Sequence, residues 1–173
     1  MAWDWLEERF LVRVWMSFLS DLDHPIVWGL FNIISQFKFT AHNLKMLITG
    51  NTHTDLRGTI RFVNDFDMSQ VVRMYCIEPK VGVIRAWQGH KKETKWFYAV
   101  KGSFMVKTIN MNLIEKMEYQ LIDLEPKVLE ISGGHYNGFE SLEEGSVLMV
   151  FSDFELEDSK RDDFRESLEN INW

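Results

Sequence analysis

Three stretches of the sequence set ionisable or amide side chains where β-alternation would aim them together. In Ile84-Arg85-Ala86-Trp87-Gln88-Gly89-His90, alternation puts Gln88 and His90 on one strand face and Arg85 and Trp87 on the other. In Lys95-Trp96-Phe97-Tyr98-Ala99-Val100, Lys95 shares a face with Phe97 and Ala99, opposite Trp96, Tyr98 and Val100. In Gly133-Gly134-His135-Tyr136-Asn137-Gly138-Phe139, His135 and Asn137 share a face. These residue types suit proton transfer beside a carbonyl. An imidazole can take a proton near neutral pH, and an ammonium can hold the oxyanion that develops. Guanidinium groups pair with phosphate oxygens in two-pronged fashion. Tyr98, Tyr75 and Tyr136 are the candidate acids. Each stretch alone also has an ordinary explanation: a solvated edge-strand lysine, a hydrogen-bonded core histidine, a glycine turn.

The elements that must position these residues are short. From Met46 onward, β-branched and aromatic runs are broken by Gly, Asn and Asp. The pattern predicts strands over Thr59–Val63, Val71–Ile77, Val81–Trp87, Lys95–Val100, Phe104–Asn110, Met117–Leu124, Lys127–Ile131, Tyr136–Ser141 and Ser146–Ser152. Short strands at near-regular spacing read as an all-β sandwich or barrel. Lys101-Gly102 reads as a tight hairpin turn, with Asn110-Met111-Asn112 and Glu143-Glu144-Gly145 as further turns. After Asp153 the chain is charged and helical in texture, which predicts a short C-terminal helix within Leu156–Ile171.

Residues 1–45 read differently and form a unit apart from a 46–173 domain. They hold Trp3, Trp5, Trp15 and Trp28, four of the chain's seven tryptophans. Apolar residues from Trp3 to Leu19 recur at spacings of three to five, an amphipathic-helix signal. The segment is a helical extension, sequence upstream of a start at Met46 or, against its lack of a Lys/Arg excess, an interfacial membrane helix. Its longest stretch without a charged residue, between Asp23 and Lys38, falls short of the ~20 residues of a membrane span. An acidic start also speaks against a signal peptide.

Composition narrows the classes further. The chain has 173 residues, 46% of them hydrophobic and 26% charged, enough for one domain with a sizeable core. A formal net charge of −7 without a basic cluster argues against a nucleic-acid or anionic-membrane binder. Cys76 is the one cysteine, which leaves no intramolecular disulfide and suits a cytoplasmic protein.

Taken together, the three stretches resemble the cupin motifs. Gly82, five residues, then Gln88-Gly89-His90 and later Gly102 match the first motif, with Gln88 where its leading histidine stands. Ser132-Gly133-Gly134-His135-Tyr136-Asn137 matches the second, with Asn137 in place of its histidine. A metal cupin built on His90, His135 and Glu93 is one alternative, but so many changed ligands favour a cupin without metal.

Within cupins the chain resembles the dTDP-4-dehydrorhamnose 3,5-epimerases and the dTDP-4-keto-6-deoxyhexose 3,4-ketoisomerases, from about Leu47 to Arg165. The resemblance rests on Thr54-Asp55-Leu56-Arg57-Gly58, Val83-Ile84-Arg85-Ala86-Trp87-Gln88, the Lys95–Gly102 strand, Ser132–Phe139, and Leu148–Phe154 followed by Asp163-Phe164-Arg165. It implies a homodimeric jelly-roll barrel that needs no cofactor and binds a nucleoside-diphosphate sugar. The implied reaction is epimerisation or isomerisation of a 4-keto-6-deoxy sugar for surface polysaccharides; a non-catalytic sugar-nucleotide binder is the other alternative.

His90 and Lys95, by this resemblance, and Tyr98, as a candidate acid read from the residues, are the expected catalytic residues. Arg57, Arg85, Trp87, Gln88, His135 and Asn137 are the expected substrate contacts, and the tyrosine acid of the epimerases falls on Met149. Strict alternation separates Arg85 from His90, so both line one pocket only across a β-bulge, for which Gly89 is the place the sequence offers.

Overall fold

The computed structural model describes residues 46–173, so the helical extension expected over 1–45 lies outside the described residues. The strands in chain order are β1 (Leu47–Thr49), β2 (Asn51–Asp55), β3 (Gly58–Phe62), β4 (Arg73–Ile77), β5 (Arg85–His90) and β6 (Lys95–Lys101). They continue as β7 (Ser103–Asn110), β8 (Lys116–Ile122), β9 (Lys127–Ile131), β10 (His135–Ser141) and β11 (Val147–Ser152), then helix α1 (Leu156–Arg161) and β12 (Phe164–Arg165). One antiparallel sheet runs β1-β9-β6-β11-β4 and a second β12-β5-β10-β7-β8, while β2 and β3 form a separate hairpin.

Alternation explains why the sheets face each other. The inward phases of β6, β9 and β11 carry Phe97, Leu129, Leu148 and Val150; those of β7, β8 and β10 carry Phe104, Val106, Tyr119 and Phe139. All eight belong to one buried cluster. Phe139 meets Phe97 and Phe104 edge-on, with ring centroids 6.0 and 6.4 Å apart, the offset geometry aromatic quadrupoles favour. The β6–β7 turn forms at Gly102 as the sequence predicts, at a φ of 74° that costs glycine nothing.

Three differences from the expected elements have local causes. The strand expected over Val81–Trp87 starts only at Arg85, because Gly82 turns at a φ of 72° and Val81 and Val83 stay exposed. β1, β2 and β12 are too short or too polar to show a phase. The C-terminal helix stops at Arg161 because the Asp162 carboxylate turns back to accept the backbone N–H groups of Lys91, Lys92 and Glu93. The chain then continues as β12, paired with β5 through Phe164↔Gly89 and Arg165↔Gln88.

The chain past β12 covers the outer face of the second sheet. Trp87, Ile109, Tyr136 and Ile171 form a second buried cluster there, and the Trp87 indole N–H donates to the Ile171 carbonyl at 2.8 Å. Among the described residues no helix is long and apolar enough to cross a membrane.

Candidate active site

The register of the first sheet puts Arg73 (β4), Ser152 (β11) and Lys95 (β6) on one rung, all in the inward phase of their strands. Two residues further along, the same strands carry Tyr75, Val150 and Phe97. One end of the barrel interior is thus polar and charged, the other apolar.

The β5–β6 turn brings Glu93 to the polar end, and His90 and Lys95 flank it. His90 is 2% exposed, Glu93 1% and Lys95 3%. His90 Nε2 lies 2.7 Å from Lys95 Nζ. His90 Nδ1 lies 2.9 Å from Glu93 Oε2, but off the N–H axis, so the contact is a close polar approach rather than an aligned hydrogen bond. Glu93 Oε1 accepts from Ser152 Oγ at 2.6 Å and from Arg73 Nη2 at 3.0 Å, and Oε2 accepts from Ser159 Oγ at 2.7 Å. Burial alone raises the Glu93 pKa. Contacts from His90, Ser152, Lys95 and Ser159 outweigh it and hold the carboxyl at about 2. Burial acts the other way on Lys95, bringing its ammonium down to about 8 against the pull of Glu93.

Gln88 joins this cluster to solvent. Lys95 Nζ reaches its Oε1 at 3.4 Å, and its Nε2 donates to Asp163 Oδ1 at 3.0 Å. Burial raises the Asp163 pKa, but hydrogen bonds from Arg165 and Gln88 bring it below the usual carboxylate range. Above Gln88 opens a cleft of about 720 Å³, lined among others by Tyr75, Glu78, Arg85, Gln88, Asn137 and Arg165. Arg85 reaches it because β5 bulges: Arg85 opposes Phe139 and Gln88 opposes Asn137, leaving Ala86 and Trp87 against Gly138 alone. The bulge therefore sits at Ala86-Trp87 and not at Gly89, which pairs regularly with Tyr136. Gly89 serves another purpose: a Cβ there would lie 2.4 Å from the Tyr136 ring.

The expected site residues divide. His90, Lys95 and Gln88 form one cluster, and Gln88, Asn137 and Arg85 line one cleft. Asn137 Nδ2 donates to the Gln88 carbonyl at 2.9 Å. His135 lies across from His90 in the β5–β10 pair, and its Nδ1 is turned to the Ser132 carbonyl at 3.0 Å.

Four placements correct the sequence reading. Trp87 is 0% exposed in the outer cluster and cannot touch a ligand in the cleft. Tyr98 points outward from β6, opposite the phase of Lys95, so it is not the acid of this site. Tyr136 lies in the same outer cluster as Trp87. Met149, in the outward phase of β11, is beside Cys76 with sulfurs 3.8 Å apart and holds no acid position. Of the candidate tyrosines Tyr75 alone lines the cleft, and burial raises its phenol above the ordinary value.

Arg57 stands on the exposed β2–β3 hairpin, paired with Asp55 at 2.6 Å, beside a separate hollow of about 260 Å³. The metal alternative also loses its ligands. Lys95 Nζ occupies His90 Nε2, and Glu93 is held by Arg73 and two serines. Among the described residues no three His, Cys, Asp or Glu side chains are grouped to hold a metal ion.

Sequence reasoning missed Arg73, Ser152, Ser159, Asp163 and Arg165. For Arg73 and Ser152 a signal exists, a polar residue in the apolar phase of Arg73-Tyr75-Ile77 and of Leu148-Val150-Ser152. Ser159 gives none, since a solvated helix end would look the same; Asp163 and Arg165 stood only in the motif that carries the family resemblance.

Solved structures share this architecture. The chain superposes on dTDP-4-dehydrorhamnose 3,5-epimerase from Sulfolobus tokodaii with a TM-score of 0.61 at 21% identity, covering 73% of this chain and 79% of that one. The fold is that of the RmlC-like cupins. The Mycobacterium tuberculosis rmlC epimerase gives a TM-score of 0.60 at 18% identity over 69% of this chain, which spans only 66% of that protein. The QdtA 3,4-ketoisomerase from Thermoanaerobacterium thermosaccharolyticum gives 0.57 at 20% identity, covering 73% of this chain and 96% of that one. At these identities the likeness is one of cupin fold. No family model matches the sequence, and no curated protein matches it significantly.

Proposed function

We propose that the chain is a metal-independent epimerase or isomerase of a nucleoside-diphosphate 4-keto-6-deoxy sugar, serving surface-polysaccharide synthesis without a cofactor. The observation that carries this reading is the buried His90–Lys95 contact of 2.7 Å beneath a cleft with Arg85 and Arg165 in its walls. The arginines suit a diphosphate, and the titratable pair below suits a ring carbon next to a ketone.

In the step we envisage, Lys95 Nζ turns from Nε2 to the ketone oxygen as substrate enters. His90 Nε2 removes the proton on the adjacent carbon, and the electron pair moves to the oxygen, held there by the ammonium. Return of a proton to the opposite face of that carbon completes epimerisation; delivery of the proton to the former ketone carbon, with the neighbouring hydroxyl's proton passing to the former ketone oxygen, completes isomerisation. Tyr75 is the acid this reading selects.

The homodimer belongs to the same proposal. It is supported by exposed Leu56 and Ile60 on the β2–β3 hairpin and by exposed Met74 on edge strand β4. Arg57 lies outside its own subunit's cleft and serves a diphosphate only through such a dimer.

The test is solvent exchange. Incubated with dTDP-4-keto-6-deoxyglucose in deuterated water, wild type should label a ring carbon, and His90→Ala should slow labelling by about 100-fold or more. Absence of exchange in wild type, or unchanged exchange in the variant, removes the assignment. One observation favours the second reading of a non-catalytic binder: the Gln88 amide, which cannot take a proton at neutral pH, separates the cleft from His90. Saturable binding of the nucleotide sugar by calorimetry with no exchange would establish that reading instead.

A further inference from the structure

A buried carboxylate that the proton-transfer scheme does not use lies behind the imidazole. The Glu93 side chain is 0% exposed, and each of its oxygens is committed. Oε1 accepts from Ser152 of β11 and Arg73 of β4; Oε2 accepts from Ser159 of α1 and faces His90 Nδ1 at 2.9 Å. Three elements distant in sequence thus aim one carboxylate at one ring nitrogen. Arg73 Nη2 also donates to Ser159 Oγ at 3.1 Å, which closes the array.

The turn that carries Glu93 is fixed as well. The Asp162 carboxylate accepts the backbone N–H groups of Lys91, Lys92 and Glu93 at 3.2, 2.8 and 3.0 Å. Side chains whose supports are locked in this way are what a preorganised site requires.

Two contacts select the same tautomer of His90. A bare Nδ1 lone pair 2.9 Å from a carboxylate oxygen would be repulsive, so Nδ1 carries the hydrogen. Nε2 then keeps its lone pair, which accepts from the Lys95 ammonium at 2.7 Å. Arg73 supplies the counter-charge to Glu93, so the carboxylate stays paired whether the imidazole is neutral or has taken a proton.

We propose that Glu93 is the positioning residue for His90, holding the ring with Nδ1 protonated and the Nε2 lone pair facing Lys95. The proposal rests on the reading of His90 as the base, yet its first readout is independent of turnover. In the full chain labelled with ¹⁵N-histidine, the His90 ring, assigned by its loss in His90→Ala, should show a protonated Nδ1 and an unprotonated Nε2. Glu93→Gln should turn this into a mixture of tautomers. In the exchange assay it should lower kcat by about 100-fold with KM unchanged, because a misoriented base forfeits most of its contribution.

Ser159→Ala keeps the carboxylate and removes one support. It should cost about fivefold in kcat, the worth of one hydrogen bond, and broaden the His90 ring signals. It also carries the test if Glu93→Gln does not fold. An Nε2-protonated ring in wild type overturns the proposal. So does a pure Nδ1-protonated ring in Glu93→Gln or, if that variant does not fold, sharp His90 signals and unchanged kcat in Ser159→Ala. If wild type catalyses no exchange but the tautomer shifts as stated, the function above fails while the positioning role stands.

Discussion

The two ends of the barrel interior are built from the same strands and differ by a step of two residues. On the rung of Tyr75, Val150 and Phe97 the interior is an aromatic and aliphatic pack; on the rung of Arg73, Ser152 and Lys95 it is an ion network. Apart from Tyr75, whose phenol lines the cleft, the apolar end needs only shape and volume. The polar end buries Glu93 and Lys95, whose desolvation opposes folding and is offset only because every charge finds a partner. A site of this kind is kept against a stability cost, and the neighbouring rung holds the barrel together while it is kept.

Substitutions should separate the two ends. The largest effect is expected from Phe97→Ala at the apolar end. Removing a ring that is 2% exposed should cost about 3–5 kcal/mol in urea unfolding, with exchange per folded molecule preserved. A loss of exchange at intact stability would mean that the ends are not independent.

Next comes the acid limb of stability. The Glu93 pKa is about 2 in the fold against an ordinary 4.5, so its contribution is complete above pH 4.5 and is lost as pH falls toward 2. That limb should amount to roughly 3 kcal/mol and should flatten in Glu93→Gln; an identical acid profile in the variant would break the comparison.

The substitution with the smallest expected effect removes a charge whose burial opposes folding. Lys95 titrates at about 8 in the fold against 10.5, so wild-type stability should rise between pH 8 and 10.5 as the ammonium is neutralised. Lys95→Met should remove that rise and gain about 1–2 kcal/mol at pH 7 while abolishing exchange. Destabilisation by Lys95→Met would show that the lysine is structural.

Much of the site lies in strand phase and could be read from the chain. Lys95 in register with Phe97 and Ala99 already marked a charge on an inward face. The same alternation set Tyr98 on the opposite face, so its assignment as the acid conflicted with a pattern already in view. Trp87 likewise stood on the face opposite His90, where the structure has it; the residue alternation misplaced is Arg85, because the bulge at Ala86-Trp87 changes the phase of β5 and no residue type there announces it, whereas Gly89 looked like a bulge and is a contact with Tyr136. The second half of Glu93's setting was not legible at all. Ser159 is one serine in a charged helix, and nothing local says that its hydroxyl is buried.

What the sequence determined by itself was local: which residues alternate inward, where Gly102 and Gly145 turn the chain, and that a histidine, a lysine and an arginine come close along it. Alternation and turn geometry depend on a few neighbouring residues, so they survive without the rest of the molecule. Which strands become neighbours, at what register, and which helix end closes over them depend on contacts between distant segments. Only those contacts joined Arg73, Ser152 and Ser159 around Glu93, and only they decided which nitrogen of His90 faces the lysine.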